Sequence, residues 1–359
     1  MSLRLSYYRI GILISVLLLH AVVVYSQPAD TSLFGSNEVL NISIKGDLKE
    51  LLRDRSGKST KSYSLTLSYI TLSSVEVSIP VNVKTRGHFR LMRENCSYPP
   101  LLLQFRKGGQ QLSTLFKDQR KLKLVMPCKG DEYVIREWLV YKLYNLVTPF
   151  SFRARLVSVK LEDTRSKKPS DAFYGILIEE EKQMAKRNAM KAIDAKLIPQ
   201  HLQVDGFLKM SVFQYLIGNT DWSVEFLQNI KLLSKSIQER PIAVPYDFDH
   251  AGIVEAPYAH PAEELQMSST RERRYRGYCV TNLSVFEPVI SFYNGLKEDI
   301  YKIYTSCPLL SEKQKQNTVA FLDVFYKTIN NTKAWQRDFY YPCDKNGTGN
   351  VIIKGLKEN

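Results

Sequence analysis

Between residues 38 and 87 the chain alternates apolar and polar side chains. EVLNISIKG, KSYSLTLSYI and VEVSIPVNVKTRG each put apolar residues at every second position, the period of a strand with one face against a core and the other in water. PPLLLQF (residues 99–105) and KLKLVMP (121–127) predict further strands, and in the latter Lys121 and Lys123 share one side while Leu122 and Leu124 share the other. The period then changes. From Asp131, apolar positions at Val134, Trp138, Tyr141 and Leu143 predict a helix that breaks near Thr148-Pro149, with Arg136 and Glu137 in its first turns. RLVSVKLE (155–162) and AFYGILIEEE (172–181) predict two more strands across a basic hairpin loop.

KQMAKRNAMKAIDAKLIP is polar with a helical pattern, a compositional shift that marks a lobe boundary. Beyond it the pattern is mostly helical. KMSVFQYLIG has apolar residues at Met210, Phe213, Leu216 and Ile217, and Gly218 ends it. IKLL and PIAV (241–244) predict two strands, and long helices follow near 287–304 and 312–328. No internal repeat is present. The expected architecture is α+β and bilobal, with a strand-rich N-lobe over 27–183, a helix-rich C-lobe over 184–345 and a tail over 346–359.

The first residues belong to neither lobe. An apolar run over 10–24 follows Arg4 and Arg9 and precedes Val24-Tyr25-Ser26, the layout of a signal peptide over 1–26 with a small-residue cleavage site. The run is shorter than the ~20 residues of a spanning helix, so export to a periplasmic, cell-surface or secreted location is expected, with no transmembrane segment after cleavage. The 359 residues, 44% hydrophobic, can bury a sizeable core. Net charge is +14, or +12 without residues 1–26, which hold two Arg and no acid. This suits phosphate-bearing ligands and anionic surfaces. RERRYRGY (271–278) is the densest basic run, read as a solvated face because no nucleic-acid motif accompanies it; no nucleic-acid partner is expected.

Five cysteines show no zinc spacing. In an exported chain disulfides are expected, and Cys96 with Cys128 and Cys307 with Cys343, leaving Cys279 free, is the pairing expected here. Asn41, Asn95, Asn282, Asn330 and Asn346 begin glycosylation sequons.

The candidate chemistry lies in GNTDWSVEFLQNIKLL (218–233) and VPYDFDHAG (244–252). An extended YDFD would send Asp247 and Asp249 to one side and Tyr246 and Phe248 to the other. Two carboxylates so close require a cation or a proton between them, unless both are solvated turn residues. Asp221 falls in a loop directly after a helix, and Asn229 opens a strand. Helix, acidic loop, strand, connection and a second strand ending in Asp is the order in which protein kinases present their base, metal-binding Asn and metal-binding Asp. A strand lysine, Lys121 or Lys123, and the helix residue Glu137 complete a kinase-like layout. Gly87, Gly108 and Gly109 do not form a spaced glycine loop, and no Walker A sequence occurs, so phosphate cradling falls to Arg86 and Arg90 in RGHFR.

RGHFR, PLLLQF, LSTLFKDQRKLKLVMP, VIREWLVYKLY, RLVSVKL and YGILIEEE together resemble the spore-coat protein H-like (CotH-like) atypical kinases. GNTDW, N-x-x-L and YDFD are similar to HipA-like kinases and, more distantly, to lipid kinases. The similarity covers about residues 80–252. It implies transfer of the ATP γ-phosphate to a hydroxyl with magnesium or manganese. It makes Asp221 the base, Asn229 and Asp247 metal ligands and Asp249 a second ligand. Lys123, or else Lys121, would meet the phosphates with Glu137 as partner, and Glu179 to Glu181 would lie beside the adenine. The implied partners are a nucleotide and a secreted or cell-surface acceptor protein or glycan. The spacing of Asp221 and Asn229 exceeds that of typical protein kinases, and PLLLQF lacks the family's lysine. The competing functions are a catalytically inactive, kinase-like binding or surface-assembly protein and a metal-dependent hydrolase using Asp221, Asp247, Asp249, His250 and His260. In the extended reading His250 leaves on the face opposite the acids.

Overall fold

A computed structural model describes residues 32–56, 61–71, 73–87, 89–166, 169–343 and 353. The expected signal peptide and most of the tail over 346–359 lie outside them. No helix among the described residues is long and apolar enough to cross a membrane.

The first half is a closed barrel. Strands β1 (Leu40–Gly46), β2 (Tyr63–Ile70), β3 (Glu76–Thr85), β4 (Leu101–Gln104), β5 (Lys121–Val125), β6 (Ala154–Asp163) and β7 (Phe173–Ile178) run in the order β1-β2-β3-β4-β5-β7-β6, and β1 pairs in parallel with β6 to close it. The alternating residues of the sequence fill its interior, among them Ile42, Ile44, Leu67, Val81, Leu103, Leu122 and Val159. Closure leaves no edge strand to cover. Helix α1 (Leu48–Arg53) follows β1. Helix α2 (Asp131–Val147) lies outside the barrel. In β5, β6 and β7, Leu124, Val157 and Leu177 point in while Val125, Leu156, Ile176 and Ile178 point out to the core that α2 shares with the second half. That is why FYGILI is almost uninterruptedly apolar: both faces of this wall are buried.

The second half is helical around a small sheet. After α3 (Glu181–Arg187), β8 (Lys191–Ile193), β9 (Ile230–Ser234) and β10 (Ile242–Pro245) form an antiparallel sheet in the order β10-β9-β8. Helices α4 (Val204–Ile217), α5 (Glu287–Gly295), α6 (Lys297–Thr305), α7 (Glu312–Ile329) and α8 (Thr332–Phe339) surround it. The boundary expected at 183/184 falls inside α3.

Three expectations are corrected. The segment 182–199 is helical only to Arg187, because Ala189 takes a left-handed φ of 53° and turns the chain into β8. The helix expected over 287–304 is two, α5 and α6, meeting at Leu296. Cys96 does pair with Cys128, but the second disulfide joins Cys279 to Cys343, and Cys307 is a free, buried thiol after α6. Connectivity is set by the tertiary path, which brings the segment before Cys279 against Tyr341, two residues from Cys343.

Candidate active site

The two acids of YDFD do converge, though not by strand alternation. Strand β10 ends at Pro245; Asp247 takes a left-handed φ of 61° and the chain turns at Asp249. What fixes them is Phe248 between them, fully buried against Tyr141 and Phe213 at ring separations of 4.9 and 5.7 Å. The Tyr141 hydroxyl accepts from the Asp247 amide at 3.0 Å. The same turn brings His250 to the acids' cavity rather than to the opposite face.

A guanidinium stands between the carboxylates. Arg90, in the 3-10 turn Phe89–Leu91, lies 2.7 Å from Asp249 Oδ2, 3.1 Å from Glu137 Oε2 and 3.6 Å from Asp247 Oδ1. Asp249 is spent on this pair, its side chain only 6% exposed, whereas Asp247 is 40% exposed and open to a ligand. Burial works to raise the Asp249 carboxyl, but Arg90, with His250 and Tyr258, outweighs it and holds that group below its usual range. Burial pushes the Glu137 carboxyl up, against the opposing pull of Arg90. The expected pairing of Glu137 with a strand lysine is therefore replaced by Arg90. Lys123 instead carries its ammonium over the Tyr246 ring, 4.3 Å from the centroid.

Asp221 sits in a closed loop. Gly218 ends α4 with a φ of 67°, the Asn219 side chain accepts from the Asp221 amide at 3.0 Å, and Asn229 Nδ2 donates to the Asp221 carbonyl at 2.8 Å and to its Oδ2 at 2.9 Å. Asn229 is itself left-handed at φ 51°, a conformation Asn tolerates better than most residues. A bridge between Ser223 and Gln228 folds the intervening residues back, so the long spacing between Asp221 and Asn229 is taken up without separating them. Burial raises the Asp221 pKa, and Asp249 and Asp247 add to this while His250 opposes it.

These groups face one cavity of about 310 Å³, lined by Asp221, Asn229, Asp247 and Asp249 together with Arg86, Arg90 and His250. Lys123 borders it through Tyr246; burial, then Arg86, pulls its pKa down to about 7. Lys121 is exposed on the barrel and does not line the cavity. Glu181 pairs with Lys231 at 3.4 Å. Glu179 points elsewhere: it is buried, bonded to Arg187 at 2.9 Å and to the Arg153 amide at 3.0 Å, the partners a buried carboxylate requires. His260 is exposed and absent from the lining. Among the described residues, no group of three or more His, Cys, Asp or Glu is arranged to hold a metal.

The run RERRYRGY is not a solvated face throughout. Arg276 is 4% exposed and donates to the carbonyls of Thr220 and Trp222; Arg273 stacks on Phe321 at 3.7 Å and donates to the Leu216 carbonyl. Neither role has a sequence signal beyond the mixture of Arg with Tyr. An aromatic cluster was equally hidden: Phe89 meets His250 at 5.4 Å and Tyr258 at 5.8 Å.

No family model matches the chain, and no curated protein matches it. Among solved structures it is similar to the crystal structure of a Helicobacter pylori proinflammatory kinase, CtkA, with 11% identity and a TM-score of 0.41 over 66% of this chain and 92% of that one.

Proposed function

We propose that this chain is an exported atypical kinase of the CotH-like kind, transferring the ATP γ-phosphate to a hydroxyl of a secreted or surface protein or glycan. The observation that carries the reading is the shared cavity, in which Asp221, Asn229 and an open Asp247 face Arg86 and Arg90. Asp221, its carboxylate held by Asn229 and its proton affinity raised by burial, orients the acceptor hydroxyl and takes its proton. Arg86, with Lys123 beside it, attracts the phosphates; a phosphate there favours the charged lysine.

The donor set fits a hard cation. Magnesium is usually held by one or two carboxylates together with substrate phosphates, and Asp247 with the Asn229 amide oxygen supplies hard oxygen donors. Asp247 and Asn229 would hold the ion, which would supply charge neutralisation at the phosphates. Two disulfides agree with an oxidising compartment.

Purified protein incubated with magnesium and γ-labelled ATP should label an added acceptor or itself, and Asp247→Ala should abolish the label. Equal transfer by the variant would reject the reading. One observation favours the inactive, binding-protein alternative: Arg90 already neutralises Asp249. A thermal-shift titration separates the two, since a kinase is stabilised by nucleotide with magnesium and a scaffold without a nucleotide site is not.

A further inference from the structure

Residues 270–279 run across both segments that carry the acids. The Thr270 carbonyl packs against Gly252 and Gly218 so closely that a Cβ at Gly252 would meet it at 2.2 Å. Those glycines are themselves joined, Gly252 donating to the Gly218 carbonyl at 3.0 Å. Arg273 then donates to the carbonyls of Leu216, near the end of α4, and of Phe321 in α7. The Tyr275 hydroxyl lies 3.2 Å from Ser211 Oγ in α4, and its ring packs on Phe286 and Phe339 at 5.5 and 5.3 Å. Next comes Arg276, with Nη1 2.5 Å from the Thr220 carbonyl and 2.8 Å from that of Trp222. Those two carbonyls flank Asp221 on either side. Three residues on, Cys279 is bonded to Cys343, beyond α8.

Taking Asp221 as the hydroxyl-orienting residue, we propose that residues 270–279 form a strap in which Arg276 is the positioning residue for Asp221 and the Cys279–Cys343 disulfide is the anchor. The physical case is one of fit. A loop peptide whose neighbouring carbonyls turn inward needs buried donors, and a guanidinium offers several in one rigid plane, so a single side chain fixes both carbonyls and with them the direction of the intervening Cα–Cβ bond. Lysine, a point charge on a flexible stem, can hold the two only loosely. Arg276 reaches backbone alone in these bonds and touches no reacting atom; its charge also interacts with that of Asp221, so its effect passes through Asp221. The disulfide matters because the strap has no regular secondary structure between Thr270 and Cys279, so its register against α4 and α8 depends on side-chain packing and on that cross-link.

The test uses the full chain, with phosphate transfer and amide hydrogen exchange read in parallel. Arg276→Met should lower kcat by about tenfold to a hundredfold, the range expected from misplacing a reacting group, leave the KM for ATP nearly unchanged and speed exchange in residues 219–229. Arg276→Lys should recover part of both. Cys279→Ser with Cys343→Ser should speed the same exchange. Unchanged exchange at 219–229 in folded Arg276→Met overturns the positioning role; should that variant not fold, unchanged exchange and kcat in Arg276→Lys do so. Unchanged exchange in the cysteine variant overturns the anchor. Absence of transfer by the unaltered protein would sink the kinase reading instead, and the exchange data would still decide the strap.

Discussion

Arg90 Nη2 lies 2.7 Å from Asp249 Oδ2, a buried ion pair between residues 159 positions apart that fastens the barrel to the helical half. Glu137 on α2 shares the same guanidinium. Two carboxylates and one arginine in a site so dry are stable only as a set.

Removing the arginine alone should therefore be costly. Arg90→Met strands two buried carboxylates, and a loss of about 3–5 kcal/mol is expected, measured by urea denaturation. Adding Glu137→Gln and Asp249→Asn should restore much of it. An Arg90→Met protein as stable as the original would show that water reaches these acids.

Lys123 predicts a pH dependence. Its folded pKa, about 7, lies below the ordinary lysine value of 10.5. Below about 7 the amine must be charged in its buried place and the cost is full; between about 7 and 10.5 the unfolded chain binds the extra proton, so stability rises with pH. Thermal melts of Lys123→Met should lack that rise, and the variant should exceed the original most at pH 6. A parallel pH dependence in both proteins would contradict it.

Asn229 has separable backbone and side-chain roles. Asn229→Ala keeps a Cβ at φ 51° without the polar side chain that makes this conformation tolerable and removes both bonds to Asp221, costing about 1–3 kcal/mol, chiefly through the lost hydrogen bonds. Asn229→Gly relieves the strain and should stay closer to the original in stability, yet both should lose phosphate transfer. If only the alanine variant loses transfer, the amide is dispensable.

Gly252 has no room for a methyl group. Gly252→Ala would drive Cβ to 2.2 Å from the Thr270 carbonyl, displacing backbone at a cost of about 1–3 kcal/mol. Gly295, with nothing within 4 Å of its would-be Cβ, is the control, and its alanine variant should match or exceed the original in chemical denaturation.

Local pattern determined much of this molecule. The period-two segments became β1, β2, β3 and β5 and the 3.6-period segments became α2 and α4, because a strand or helix with one apolar stripe has few ways to bury it. The order of Asp221, Asn229, Asp247 and Asp249 along the chain, each set by a helix end or a strand end, likewise placed candidate acids that the fold brings to one cavity. Only tertiary structure decided the closure of the sheet, since the parallel pairing of β1 with β6 joins segments over a hundred residues apart. It also decided that Arg90 rather than Lys123 meets Glu137, that Glu179 serves Arg187, and that Arg276 is buried behind Asp221. An arginine reads the same in sequence whether it ends in water or between two carbonyls; its partner is chosen by which surfaces pack together, and that is a property of distant contacts.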